Sequence, residues 1–341
     1  MRKGKKRKET EQVIGKQDRM GRLFVAPPVI LFLMFTLIPM IMAIGMSFTK
    51  YDVINPPSFV GLANFKKLIH DEFFWIALKN TCVYTILYVP LGLLISLGAA
   101  LFLNADQKFV GLFRTLFYLP VLSSTVATAT LWFWILNPQL GLLNGILRIF
   151  GIPNQAWLYN SRLAMISIVM MSLWAGFGGN MMIFLAGLKG ISPVYYEAAK
   201  IEGANRWQMF TRITMPSITK TTFLVSTMLI IGTFQVFDQA FVLTKGGPGN
   251  ATITLVYYIY NNGFKNLNMG YASSISLVLF AIILLMTVIN TKINKSDILQ
   301  EAEHYGNEKS KKSKKRILVH RSDLHFSDHG LSVLVDDRNL V

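Results

Sequence analysis

The sequence predicts an all-α membrane protein with six transmembrane helices and a two-helix hairpin between the fourth and the fifth. Of its 341 residues, 52% are hydrophobic and only 15% are charged, and the mean hydropathy is +0.42. Soluble domains usually have about a quarter of their residues charged. Six apolar segments are each long enough to cross a bilayer, which takes about 20 residues. None shows the continuous polar stripe expected of a buried helix in a soluble protein.

The predicted spans also account for the distribution of basic residues. Of the 34 Lys and Arg, 26 fall in segments that are cytoplasmic when the N terminus is inside. An excess of Lys and Arg on the cytoplasmic side orients membrane proteins. We therefore expect a multi-pass protein with both termini and the hairpin in the cytoplasm. The predicted spans are 23–48, 82–103, 115–136, 163–188, 221–243 and 270–292.

The two ends of the chain are polar and basic. Residues 1–22 predict a cytoplasmic segment attracted to anionic membrane lipid. Residues 296–341 have little apolar periodicity and predict a disordered cytoplasmic tail. The net charge of +16 does not indicate nucleic-acid binding, because the basic residues gather at the ends and in alternate loops. Cys82 is the only cysteine, so no internal disulfide is expected, and no metal site is predicted.

The predicted outer segments are short. Residues 59–81 have apolar side chains at helical spacing, which predicts one amphipathic helix on the outer surface before the second span. Residues 137–162 predict an outer loop that contains a short apolar helix between glycine and proline breaks.

The fourth span contains three glycines within four residues, in the stretch from Trp174 to Asn180. Glycine weakens a helix, and a broken helix at membrane depth is tolerated where it lines a cavity. Small residues also allow two helices to pack closely. The sequence leaves both interpretations open.

Between the fourth and fifth spans, residues 191–216 predict a helix–glycine–helix hairpin. Pro193 suits the first turn of a helix, because its missing N–H needs no partner there. Gly203 can take the left-handed conformation that ends the first helix. Asn205 can cap the second helix, which Pro216 is expected to end.

The hairpin also resembles a family motif. Glu197-Ala198-Ala199, then three residues, Gly203, nine residues and Ile213-x-Met215-Pro216 is similar to the E-A-A-x3-G-x9-I-x-L-P pattern of ABC importer membrane subunits. The one departure is Met for Leu, which is of similar volume. In that family the loop is the coupling helix that docks on a cytoplasmic ATPase. The resemblance implies these coupling residues: Tyr196, Glu197, Ala198, Ala199, Gly203, Ile213 and Pro216.

Three further stretches resemble the carbohydrate-uptake branch of that family, which includes the maltose permeases. They are FVGLANF at 59–65, RTLFYLP at 114–120 and LTKGGPGNAT at 243–252. The resemblance covers 23–295 and implies the type I importer permease fold in a prokaryotic cell membrane. It also implies an oligosaccharide substrate, contact with membrane lipid and three kinds of protein partner. These partners are a second permease subunit, two copies of an ATPase subunit and an extracytoplasmic solute-binding protein.

The chain lacks the phosphate-binding motif G-x4-G-K-[ST] and common hydrolase motifs. We therefore expect no enzyme activity and no cofactor in this chain, with ATP and magnesium bound by the partner ATPase. Apart from Lys292 at the end of the sixth span, Asp238 is the only charged side chain in the predicted spans, where it either faces a cavity or reaches water at the interface. By the resemblance, the substrate contacts come from the fourth and fifth spans: Trp174, Phe177, Asn180, Thr233, Gln235 and Asp238.

Two alternatives remain at this point. One is a permease of another ABC importer branch, for polyamines, glycerol phosphate or acidic sugars. The few charges in the spans argue against an ionic substrate, but a partner permease would supply half of the cavity. The other alternative is a six-span membrane receptor with no transport role. It leaves the hairpin without an evident use.

Overall fold

The computed structural model describes residues 24–105 and 108–293. The predicted segment 1–22 and tail 296–341 therefore lie outside the described residues. The described chain is built from helices and one two-stranded antiparallel hairpin, which confirms the all-α class. The strands are β1 (Thr49–Lys50) and β2 (Ser58–Phe59). The helices are α1 (Phe24–Ser47), α2 (Ala63–Ile69), α3 (Glu72–Asn104), α4 (Val110–Leu122), α5 (Thr125–Ile135), α6 (Leu142–Ile149), α7 (Ser161–Lys189), α8 (Pro193–Ile201), α9 (Arg206–Ser217), α10 (Thr219–Phe234), α11 (Asp238–Leu243), α12 (Leu255–Tyr260) and α13 (Met269–Ile293).

Four helices in the described chain are long and apolar enough to cross a membrane alone: α1, α3, α7 and α13. Two bent pairs bring the possible spans to six. Helices α4 and α5 meet at 100°, and α9 and α10 meet at 64°. The third predicted span therefore contains a sharp bend. The fifth, 221–243, contains most of α10, a break and the short helix α11.

Helix α7 is the centre of the bundle and packs against α3, α4 and α10. Half of its most apolar stretch is buried within the chain, whereas none of the corresponding stretch of α1 is. Fully buried side chains on α7 include Ile168, Met171, Met181 and Phe184. In a membrane, helices associate through close packing and hydrogen bonds, because lipid is as apolar as the side chains. The contacts of α7 therefore determine where neighbouring helices lie.

The predicted single helix over 59–81 is wrong. Helix α2 ends at Ile69 and α3 begins at Glu72, well before the predicted start of the second span. The reason is local, because the Asp71 carboxylate accepts the backbone N–H of Phe73 at 3.0 Å and caps α3. An aspartate followed by a glutamate is typical of a helix start, because the helix N-terminus attracts negative charge.

Asp71 also ties the start of α3 to α12 and α13, the last two helices of the described residues. Its Oδ2 accepts hydrogen bonds from the hydroxyls of Tyr258, at 2.6 Å, and Tyr271. The Lys67 ammonium lies 4.4 Å from the centre of the Tyr271 ring. Burial raises the pKa of Asp71, but the hydrogen bonds from Tyr258, Tyr271 and the backbone outweigh it and hold this pKa below its ordinary value.

We expect Asp71→Ala to lower the free energy of unfolding by about 1–3 kcal/mol, because it removes a helix cap and the acceptor of two tyrosine hydroxyls. The pKa of Asp71 is lowered in the folded state. Its contribution to stability is therefore full above the ordinary pKa of about 4 and is lost as pH falls through the folded pKa. Thermal unfolding between about pH 3 and 7 tests this. Asp71→Asn keeps a capping oxygen but replaces the oxygen that accepts the two tyrosine hydroxyls with an amide NH2, so it should lose those bonds and the pH dependence while keeping the cap. Equal pH profiles for wild type and Asp71→Asn would contradict the assignment.

Candidate functional site

A cavity of about 600 Å³ lies about midway along α3 and α7. It is bounded by these two helices, by the α4–α5 bend and by the chain between α10 and α11. This volume is within the usual range for small-molecule sites. Among the sequence-predicted substrate residues, four line the cavity together: Asn180, Thr233, Gln235 and Asp238.

The cavity lies where two of the bent or broken spans interrupt their helices. Helix α4 ends at Leu122, shortly after Pro120, and α10 ends at Phe234. Residues 235–237 are not helical, and the backbone carbonyl group of Val236 lies in this break. That carbonyl accepts a hydrogen bond of 2.8 Å from the Thr254 hydroxyl. Broken backbone at membrane depth is thus buried in protein or faces the cavity, as the absence of water in lipid requires.

The fourth predicted span is not broken. Helix α7 is continuous from Ser161 to Lys189, and Gly176 and Gly178 allow close packing against α3 and α4. A Cβ on Gly178 would lie 2.2 Å from the backbone oxygen of Phe117 on α4. The interruptions that border the cavity are instead in the third and fifth predicted spans. Of the two interpretations that the sequence left open, the structure supports close packing through small residues.

Trp174 and Phe177 do not line the cavity. Trp174 is 39% exposed and packs against Trp132, with ring centroids 6.1 Å apart. Phe177 packs against Phe117 at 5.7 Å. Because α7 is continuous, residues four apart share a face, and the cavity face carries Ser172, Gly176 and Asn180. Trp174 and Phe177 lie on other faces of the same helix.

Sequence reasoning missed several polar residues of the cavity wall, among them Tyr84, Tyr88 and Ser172. Tyr84 and Tyr88 of α3 stack with centroids 5.5 Å apart, and the Tyr88 hydroxyl donates to the backbone oxygen of Ser172 at 3.3 Å. The signal was present, because two tyrosines four residues apart in an apolar span share one face. The Ser172 hydroxyl is buried and has no hydrogen-bond partner of normal geometry in the described chain, although the Tyr84 hydroxyl lies near it.

The loop after α11 holds the cavity break in place. The Thr81 hydroxyl of α3 accepts the backbone N–H of Leu255 at 3.0 Å, and the Asn80 amide donates to two loop carbonyls at 2.8 and 3.0 Å. Its neighbour Thr254 donates to Val236, as described above. The glycine-rich stretch 243–252, together with the residues that follow it, is therefore packed on α3 and supports the cavity.

The second predicted site, the hairpin, is formed by α8 and α9. Gly203 has φ +80°, its N–H donates to Lys200 at 3.1 Å, and the N–H of Ala204 donates to Ala199 at 2.9 Å. This pair of bonds is the Schellman motif, which ends a helix with a left-handed residue. The Asn205 and Gln208 side chains each bond the other's backbone N–H at 2.8 Å, which caps α9.

Pro216 does not end the second helix of the hairpin, contrary to the prediction. The chain widens into a π-helical turn over Phe210–Thr214, and the N–H of Met215 bonds to Phe210. This wide turn changes the hydrogen-bond register just before Pro216, whose nitrogen has no N–H to contribute. Helix α9 therefore continues to Ser217, and the 64° bend follows it.

The coupling residues lie on both helices of the hairpin. Glu197, Ala198, Gly203 and Pro216 are exposed, whereas Tyr196, Ala199 and Ile213 are half-buried. The Tyr196 and Thr214 hydroxyls lie 2.9 Å apart and join the two helices. Large apolar side chains on the hairpin are also exposed, by 88% for Ile201 and 70% for Trp207. Exposed apolar groups beside a charged residue are typical of a protein-docking surface.

Comparison with known proteins places this arrangement in one family. A family model described as "Binding-protein-dependent transport system inner membrane component" matches residues 89–296. The probable ABC transporter permease protein YesP of Bacillus subtilis (strain 168) is 39% identical over 281 residues, which cover 81% of this chain and 90% of that protein. The arabinooligosaccharides transport system permease protein AraP of the same organism is 37% identical over 281 residues, with coverage of 80% and 88%.

The chain is also similar to a solved structure. One chain of a bacterial alginate ABC transporter, in complex with an alginate pentasaccharide-bound periplasmic protein, matches with a TM-score of 0.72 and 25% identity. The match covers 82% of this chain and 96% of that chain. The fold is that of a type I ABC importer permease, a multi-pass membrane protein. The chain therefore belongs to the family of binding-protein-dependent transport system inner membrane components.

Proposed function

We propose that this chain is one permease subunit of an ATP-driven importer that moves an oligosaccharide into the cytoplasm. The observation that carries the proposal is the union of two features in one chain: a polar cavity at broken spans and an exposed hairpin with the family motif. The relative AraP is named for arabinooligosaccharides, and the alginate transporter holds a saccharide-loaded periplasmic protein. Both support a saccharide as the transported solute.

The proposal includes three partners and an orientation. A second permease completes the cavity, two ATPase subunits bind the hairpins together with ATP and magnesium, and a solute-binding protein docks at the opposite end of the bundle. The hairpin and both termini face the cytoplasm. The excess of Lys and Arg in the segments that this orientation places inside supports it.

The geometry suggests how movement of the ATPase subunits is transmitted to the cavity wall. Helix α9 carries the hairpin surface and joins α10 at the 64° bend. At its other end, α10 contributes Thr233 to the cavity wall. With 16 residues, α10 spans roughly 24 Å. When ATP draws the two ATPases together, the docked hairpins move, and α10 carries that motion to the cavity. ATP hydrolysis then returns the hairpins and the cavity to their starting arrangement.

Within the cavity, the four lining residues from the predicted set are the proposed substrate contacts: Asn180, Thr233, Gln235 and Asp238. Their amide, hydroxyl and carboxylate groups can bond the hydroxyls of a sugar. Trp174 and Phe177 were also predicted to bind substrate. They face away from this cavity in the described chain, so we propose no contact for them here.

Substrate-stimulated ATPase activity tests the proposal. The chain is co-expressed with the products of neighbouring genes, reconstituted in lipid with the neighbouring binding protein and assayed with a panel of saccharides. We expect stimulation by one saccharide, lost in Glu197→Gln and retained in Glu202→Gln, which changes an exposed glutamate of the same hairpin at a variable position of the motif. If no ATPase co-purifies and no saccharide stimulates activity, the receptor interpretation replaces this one.

A further inference from the structure

We propose that Asp238 makes this chain's part of the cavity select against acidic sugars, so that the transported oligosaccharide carries no carboxylate or phosphate. This inference rests on the proposed function and adds the substrate class. It separates this chain from the glycerol phosphate and acidic-sugar alternatives that the sequence left open.

The cavity wall carries a negative charge. Among the described residues that line the cavity, Asp238 is the only charged one. The other polar groups are hydroxyls and amides, and the wall includes no lysine, arginine or histidine. An acidic sugar needs a cation or a set of donors facing its carboxylate, for which arginine is the usual residue. This wall supplies a like charge instead.

The Asp238 carboxylate is placed where it can repel a negatively charged ligand. It is the first residue of α11, is exposed toward the cavity and forms no ion pair within the part of the chain that the structure describes. A neighbouring cation would cancel its charge, and the wall around it has none. At membrane depth the effective dielectric constant is below that of water, so repulsion between two like charges is strengthened.

The wall also offers neutral hydrogen-bonding groups for an uncharged sugar. Asn180, Gln235 and Gln239 line the cavity with amide groups, which both donate and accept hydrogen bonds. A sugar hydroxyl, which also donates and accepts, suits these three side chains.

The test measures binding to the permease itself. The complex of this chain, its partner permease and the ATPase is purified in lipid nanodiscs without the solute-binding protein. It is titrated, up to about 10 mM, with the stimulating oligosaccharide and with the same compound oxidised at one unit to a uronic acid. Asp238→Asn removes the charge from the cavity. Asp52→Asn is the control, because it removes the same charge from an exposed loop.

We expect the wild-type complex to bind the acidic compound about 10- to 100-fold more weakly than the uncharged one. Asp238→Asn should reduce this ratio to about threefold or less, and Asp52→Asn should leave it unchanged. Equal binding of both compounds, or the same ratio in Asp238→Asn as in wild type, overturns the inference. So does an absence of binding by every sugar. If uptake by the complete transporter persists in these cases, the proposed function stands. If uptake is also absent, both fail.

Discussion

Gly203→Val is expected to reduce substrate-stimulated ATPase activity and uptake at least about tenfold, while the protein still inserts in the membrane. Gly203 has φ +80°, a conformation that costs a residue with a Cβ about 1–2 kcal/mol and a branched one more. The bonds from Gly203 and Ala204 back to α8 require this conformation. Because α8 and α9 are exposed and short, little interior packing opposes a change in their relative angle.

A side chain at position 203 would also meet the partner ATPase of the proposed complex. No atom of the described chain lies within 4 Å of the position of a Cβ at Gly203, so a side chain there would point into open space. In the proposed complex that space belongs to the ATPase groove. Valine would therefore both change the hairpin angle and enter the docking surface. One change at this residue disturbs coupling without touching the cavity.

Gly203→Asn separates the two causes. Asparagine tolerates the left-handed conformation better than other residues with a side chain, so this variant keeps the hairpin angle and adds bulk. Uptake into vesicles, ATPase stimulation and the amount of membrane-inserted protein are compared for both variants. Activity that returns largely in Gly203→Asn points to the backbone angle. Normal uptake by Gly203→Val would remove the coupling role from the hairpin.

The hairpin could be predicted from sequence because its determinants are local. A proline at the first turn, a left-handed glycine and an asparagine cap act within a few residues, and the structure has all three. The end of the second helix was mispredicted at Pro216. A π-turn is a small change of register that leaves little mark on composition.

The cavity was harder to predict, because its position depends on contacts between distant parts of the chain. The hydroxyl of Thr254 bonds the Val236 carbonyl, and Thr81 bonds the backbone N–H of Leu255. These pairs support a break between α10 and α11 that no local signal marks. The rotation of α7 is likewise set by its neighbours. Composition could suggest that Trp174 and Asn180 were both near a site, but not which of them faces it.

Two neighbouring glycines, Gly178 and Gly179, can test whether α7 packs closely against α4. A Cβ at position 178 would lie 2.2 Å from the backbone oxygen of Phe117, 3.0 Å from its carbonyl carbon and 3.1 Å from the Cα of Tyr118. These are backbone atoms, so they cannot rotate away. A Cβ on Gly179 would meet only a methyl group of Val121 at 3.9 Å, an ordinary contact.

We therefore expect Gly178→Ala to lower the free energy of unfolding of the purified complex by about 1–3 kcal/mol, because α4 must move away from α7. Gly179→Ala adds the same methyl group one residue away and should leave stability unchanged or slightly raised, since alanine favours a helix. Thermal unfolding of the two variants, measured side by side, checks this.

A transport assay on the same two variants connects packing to the cavity. Phe117 lies one turn before Pro120, which lines the cavity at the α4–α5 bend. Displacing α4 therefore also shifts the cavity wall, and Gly178→Ala should reduce uptake in the protein that remains folded. If Gly178→Ala and Gly179→Ala are equally stable, the glycines do not serve close packing. The fourth span would then have to open in some state of transport, and Trp174 and Phe177 would return as candidates for the substrate site.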